Sequence, residues 1–147
     1  MKEVSIYIVT GIKGRWQQDG YVGYALEYYK AGSKYPAVIR EVVPVQQMNE
    51  NRSTLEALIQ ALHRMKEKCI LTIYTDSRYL YSGYEDTEYV KRWKENAWMK
   101  SDGHEVKNRD KWQELDRLIQ GNLLRILLNE RNAYTESLRE EIKMKER

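Results

Sequence analysis

At 147 residues the chain has the length of one domain, long enough to bury about 68–70% of its unfolded surface. With 41% hydrophobic and 32% charged residues it is too apolar for a disordered segment, and its apolar runs are too short to span a bilayer. A net charge of +3, from 25 basic and 22 acidic residues, excludes a polycationic nucleic-acid arm but leaves room for a polyanionic partner. The lone cysteine, Cys69, excludes an internal disulfide and a thiolate zinc cluster and points to a reducing compartment.

The opening "MKEVSIYIVTG" lacks the basic, apolar and cleavage regions of a signal peptide and alternates like a strand, so a cytoplasmic location is expected. "VSIYIV", "YVGYALEYY" and "PAVIREVVPVQ" are rich in Val, Ile and Tyr and are separated by "GIKGRWQQDG" and "KAGSKYP", which predicts a three-strand antiparallel meander. "TGIKGRW" lacks P-loop spacing and is expected to be the first hairpin turn. From "NRSTLEALIQALHRMKEK" the period changes. Leu55, Leu58, Ile59, Leu62 and Met65 share one face of a helix over roughly 52–67, with "STLE" as a capping box from Ser53 to Glu56. "CILTIYT" is a buried fourth strand, parallel to the first because a helix intervenes.

"DSRYLYSGY" opens the next helix, and an amphipathic stretch from Glu85 to Asn108 carries Trp93 and Trp98 with a turn at "SDGH". "RDKWQELDRLIQ" is a helix stopped by Gly121, "LLRILL" a short fifth strand, and "NERNAYTESLREEIKMKER" a charged C-terminal helix. Twelve tyrosines and no phenylalanine place tyrosines at positions usually filled by Phe, where their hydroxyls need partners. The order predicts an α/β fold, a five-stranded mixed sheet flanked by helices. Ligands of such sheets sit at the carboxyl ends of central strands, where Thr10 and Asp76 fall. Asp76 has two readings, a metal ligand at the mouth of the strand or the N-cap of the helix after it. His63 and His104 are isolated and expected at the surface.

Several words together resemble one family. "TDSRYL" after the fourth strand, "NR" before a Leu/Ala helix at Asn51 and Arg52, "WKENAW", "VKNRDKWQELDRLI" and "NER" at Asn129 to Arg131 are similar to type 1 ribonuclease H, the bacterial kind with a basic helical handle. The resemblance covers nearly the whole chain and implies one ribonuclease H-like domain over residues 1–147, of bacterial or phage-like origin. Members cut the RNA strand of an RNA/DNA hybrid with two magnesium ions held by four acids. Carried over singly, those acids fall on Thr10, Thr54, Asp76 and Ala133, so only Asp76 is retained. The family's glycine-rich loop with a histidine before the last helix is also missing, and the handle reads Lys94, Glu95, Asn96 where relatives carry consecutive bases.

Two dications held about 3.5–4 Å apart need a dense cluster of anions, which one carboxylate cannot provide. Glu56 stands two places from Thr54, about 200° around the helix, and so points away. The expectation is therefore a catalytically inactive domain with no cofactor beyond a weakly held magnesium at Asp76. It would bind hybrid or duplex nucleic acid weakly through Asn51, Arg78, Trp93, Lys94, Trp98 and Lys100, joined by Lys91, Arg92, Lys107, Arg109 and Lys111. Alternatives are a protein-interaction scaffold, using Tyr79, Tyr81, Tyr84 and Tyr89, and an active hybrid endoribonuclease with other ligands. A protein partner stays open, no membrane is expected, and the oligomeric state is not indicated.

Overall fold

The computed structural model describes residues 1–147. Strands β1 (Lys2–Thr10), β2 (Gln18–Tyr28) and β3 (Ala37–Met48) form the expected antiparallel meander. Helix α1 (Glu50–Leu62) crosses over to β4 (Cys69–Thr75), which pairs in parallel with β1. Helices α2 (Arg78–Tyr84), α3 (Tyr89–Glu95) and α4 (Arg109–Ile119) form the second crossover, to β5 (Leu123–Leu128), parallel to β4; α5 (Thr135–Lys145) ends the chain. The five-stranded sheet has the order β3-β2-β1-β4-β5. Parallel pairs occur where helices intervene, because a parallel return needs a long crossover.

Strand alternation sends Ile6 and Ile8 into the main core with Leu55, Leu58, Leu71, Ile73, Leu80 and Trp112, while Tyr7 and Val9 meet Leu138 and Ile142 of α5 on the other face. With both faces covered, Ile6 through Val9 are all buried. Trp112 is wholly buried, and its Nε1–H donates to the Tyr79 hydroxyl at 2.8 Å. Tyrosines in Phe-like positions do find partners. Tyr24 donates to Glu41 at 2.8 Å, and Tyr134 donates to Glu27 at 2.5 Å, a bond that with burial pushes the Tyr134 phenol up to about 12. On the outer edge of the sheet the Ile126 N–H of β5 donates to the Glu85 carboxylate at 2.8 Å.

Helix boundaries depart from expectation where a different side chain wins the cap. Asn49, with extended backbone, accepts from the Arg52 N–H, so α1 starts at Glu50 and no capping box forms at Ser53. Its end at Leu62 leaves Met65 outside. Ser77, not Asp76, caps α2, its hydroxyl accepting from the Leu80 N–H at 3.1 Å. The segment "NER" is not helical. Asn132 accepts from the N–H groups of Tyr134 and Thr135, and α5 starts only at Thr135, so Ala133 lies exposed ahead of the helix.

Gly83 is set by packing: a Cβ there would meet the Trp112 ring at 2.5 Å. Gly83→Ala is expected to destabilise the protein by about 1–3 kcal/mol through overpacking, measured as a lower urea midpoint at unchanged slope.

Candidate functional site

Three of the four positions singled out by the resemblance converge at the carboxyl ends of β1 and β4. Thr10, Thr54 and Asp76, with Ile8, Val9, Ala57 and Thr75, enclose a space too narrow for a water molecule. The hydroxyls close on one another. Ser53 donates to the Glu50 carbonyl at 2.9 Å, which leaves Thr10 to donate to Ser53 at 2.7 Å while accepting from the Ile12 N–H. Thr54 donates to the same Glu50 carbonyl at 3.0 Å. No polar side-chain atom buried in the protein lacks a partner.

Asp76 is engaged from the other side. Its Oδ2 accepts from Arg139 Nη2 at 2.7 Å, and Arg139 Nη1 reaches Glu136 at 2.9 Å. Both partners of the Asp76 pair are partly exposed, at 41% and 36% of the side chain. Beside them lies a polar hollow of about 410 Å³ lined by Asp76, Asn129, Glu130, Arg131, Glu136 and Arg139, without a hydrophobic residue among its walls. The acids alternate with guanidinium groups, and nowhere in the chain do three His, Cys, Asp or Glu side chains group so that they could hold a metal ion.

Glu56, which makes no capping box, accepts from Lys111 of α4 at 2.8 Å and from Gln60 at 2.8 Å. Both charged side chains are largely buried, at 15% and 16% exposed. Alongside, Arg52 forms a bidentate pair with Asp110 at 2.9 and 2.6 Å, and this contact holds the Asp110 carboxyl down at about 2. Lys111 is thus a tie between α1 and α4 and does not face outward for phosphate.

The handle is similarly braced. Lys94 pairs with Asp116 at 3.0 Å, Arg109 with Glu105 at 3.8 Å, Lys100 with Asp102 at 3.9 Å, and Arg78 with Asp86 at 3.2 Å. Lys91, Arg92 and Lys107 have no carboxylate within ion-pair distance, and Asn51 is exposed at the start of α1. Trp93 stacks on Tyr89 at 5.7 Å and meets Trp112 edge-on at 5.4 Å, with Trp98 at 6.5 Å. Tyr79, Tyr89, Trp93, Lys100, Val106 and Lys107 line a second hollow of about 280 Å³. Tyr79 and Tyr84 turn inward: Tyr79 accepts from Trp112, and Tyr84 donates to Asp116 at 3.3 Å. Burial raises the Tyr84 phenol far above its ordinary range.

Arg139, Glu136 and Arg131 were not anticipated. Arg139 and Glu136 are visible in sequence only as an i,i+3 pair on a charged helix, and nothing local reveals that this face meets Asp76 across the fold.

A mixed sheet with this strand order, an α1 crossover between parallel β1 and β4, and a helical handle before β5 defines a ribonuclease H-like fold. The sequence matches the RNase H family over residues 1–127, and the chain belongs to that family. It is 38% identical over 118 residues to a ribonuclease H of Acetivibrio thermocellus, covering 80% of this chain and 75% of that one. It is 45% identical over 74 residues to ribonuclease HI of Haemophilus influenzae, covering 50% of this chain and 47% of that protein, so that match spans about half the length of the relative. In three dimensions it is similar to LC9-RNase H1, a type 1 RNase H with the type 2 active-site motif, at a TM-score of 0.78 and 21% identity, covering 98% of this chain and 72% of the other. LC11-RNase H1 in complex with RNA/DNA hybrid gives a TM-score of 0.56 at 15% identity over 98% and 99%.

The Arg52–Asp110 pair carries a pH signature. Asp110 is depressed when folded, so its contribution is present above the unfolded carboxylate range near 4 and is lost as pH falls toward 2. Since the carboxylate is well exposed, the effect is modest. Asp110→Asn is expected to lower stability at pH 6 and to converge with the parent protein near pH 2, as read from urea unfolding across that range.

Proposed function

We propose that this protein is a ribonuclease H-like domain that binds nucleic acid without cutting it. The observation that carries the reading is the Asp76–Arg139 pair: the one acid kept at the family's catalytic positions is already neutralised by a guanidinium. The other positions offer hydroxyls bonded to each other, in a space with no room for water. A divalent ion would have to displace a permanent cation at Asp76, and a second ion about 3.5–4 Å away would find no further carboxylate at Thr10 or Thr54 to offset the repulsion between the two. The residues present therefore do not fit the paired ions of the family.

Binding is supported separately. Relatives are named ribonucleases H, and a solved member of the fold holds an RNA/DNA hybrid. Such duplexes are recognised mainly through shape, phosphate and 2′-hydroxyl contacts, none of which needs the metals. Lys91, Arg92 and Lys107 keep free charges on the handle beside the Tyr89–Trp93 stack, with Asn51 exposed at the start of α1. The tyrosines once open to an interface reading are partly spent inside the fold, which leaves the scaffold alternative with less surface.

A labelled RNA/DNA hybrid is expected to survive incubation with the protein in magnesium or manganese; cleavage abolished by Asp76→Asn would overturn the reading. Binding of the same hybrid should weaken with salt at a slope of about 0.9 per phosphate contacted, and neutralising Lys91, Arg92 and Lys107 should flatten that slope by up to about three contacts. Installing Thr10→Asp and Thr54→Glu together with Arg139→Asp is expected to create manganese binding, seen by calorimetry, that is absent in the parent protein.

A further inference from the structure

The connection between β1 and β2 presents Trp16 with 83% of its surface exposed, more than any other large apolar side chain. The loop that carries it is tightly held. Ile12, 1% exposed, anchors its start in the core. Gly14 and Glu50 clasp reciprocally: the Gly14 N–H donates to the Glu50 carboxylate at 2.9 Å, and the Glu50 N–H donates to the Gly14 carbonyl at 3.0 Å. Gln18 Nε2 donates to the carbonyls of Lys13 and Trp16 at 3.0 and 3.1 Å, and Asn49 Nδ2 reaches the Arg15 carbonyl at 3.5 Å. The backbone at Gly14, with φ +86°, suits glycine.

This bracing keeps an indole in water that a looser loop could fold back onto the protein. Lys13 and Arg15, three places and one place before it in sequence, are both exposed, and no carboxylate lies within ion-pair distance of either. The acids of the adjoining elements are engaged elsewhere: Glu50 on the Gly14 N–H, and Asp19 of β2 on the backbone and side-chain N–H groups of Gln47. The loop follows Thr10 directly, and its clasp residue Glu50 precedes Asn51, so it stands at the same end of the sheet as Asp76.

An occupant that gains from covering this surface must offer a flat apolar face and negative charge next to it. A nucleobase with its flanking phosphates has both. An apolar protein surface would instead strip water from two unpaired cations.

We propose that Trp16 is a stacking platform for an unpaired base, with Lys13 and Arg15 on the adjacent phosphates, so that the protein prefers nucleic acid carrying a single-stranded segment beside a duplex. This rests on the nucleic-acid reading above and extends it to a substrate feature. Base–aromatic stacking is tolerant of sequence, so a preference for strandedness and not for a particular base is expected.

The test is an anisotropy titration of the full chain against a blunt RNA/DNA hybrid and the same hybrid with an oligo-dT overhang. The overhang should tighten binding by about tenfold, and Trp16→Ala should remove that gain while leaving blunt-hybrid affinity unchanged. Trp16→Tyr should keep most of it. Lys13→Ala with Arg15→Ala should reduce the salt slope by about 1.4 on the overhang substrate only. These side chains are exposed, so matching thermal melts establish that the variants fold. Equal binding of both substrates, or an equal loss on both in Trp16→Ala, overturns the stacking platform while the nucleic-acid reading stands; failure to bind either substrate at low salt overturns both. A concentration-dependent dimer that Trp16→Ala abolishes, without overhang preference, would assign the platform to a second copy and also overturn the proposal.

Discussion

The charge at the mouth of β4 governs how this site can behave. A carboxylate at the end of a central strand needs a counter-charge, and here α5 delivers one within the chain, from Arg139. A guanidinium stays protonated at any physiological pH and cannot exchange with solvent ions as a bound metal does. The pair is partly exposed, so it adds little stability, on the order of 0–1 kcal/mol. Its effect is on charge, because Asp76 Oδ2 already accepts from a permanent cation. Beside it, the hydroxyls of Thr10, Ser53 and Thr54 form a small network of neutral groups, Thr10 donating to Ser53 and both Ser53 and Thr54 donating to the Glu50 carbonyl.

The same economy of charge extends outward. Glu56–Lys111 and Arg52–Asp110 bind α1 to α4, and Lys94–Asp116 binds α3 to α4 around the buried Trp112. Acids interleaved among the bases of the handle thus act as fasteners, and only part of its formal positive charge is left to meet a polyanion. Two of the surfaces that keep unpaired bases are the handle face around Lys91, Arg92 and Lys107 and the tip of the first hairpin.

Much of the architecture was legible from periodicity alone. The alternation of "VSIYIV" and the helical spacing of Leu55, Leu58, Ile59 and Leu62 encode burial directly, and the crossover between them dictates the parallel pairing of β1 with β4. Cap positions were less so, because Asn49, Ser53 and Ser77 all have capping side chains and tertiary contact decides among them; Ser53 is drawn to Thr10 instead. The convergence of Thr10, Thr54 and Asp76 on one small space was legible, because strand ends and a helix set their places. The site was not legible on the last helix: the family match ends at residue 127, the "NER" word falls in a turn held by Asn132, and the partner of Asp76 is a residue 63 positions away.

The bond from Ile126 N–H to Glu85 has a bearing on how the molecule coexists with its neighbours. β5 is a short, leucine-rich border whose outward donors would otherwise invite an extended segment of another polypeptide to zip onto it. With a carboxylate seated on the central donor, that invitation is withdrawn where it would matter most, and a sticky margin becomes a charged one. This margin of the sheet is thereby guarded against edge-to-edge pairing by a single side chain from the turn after α2.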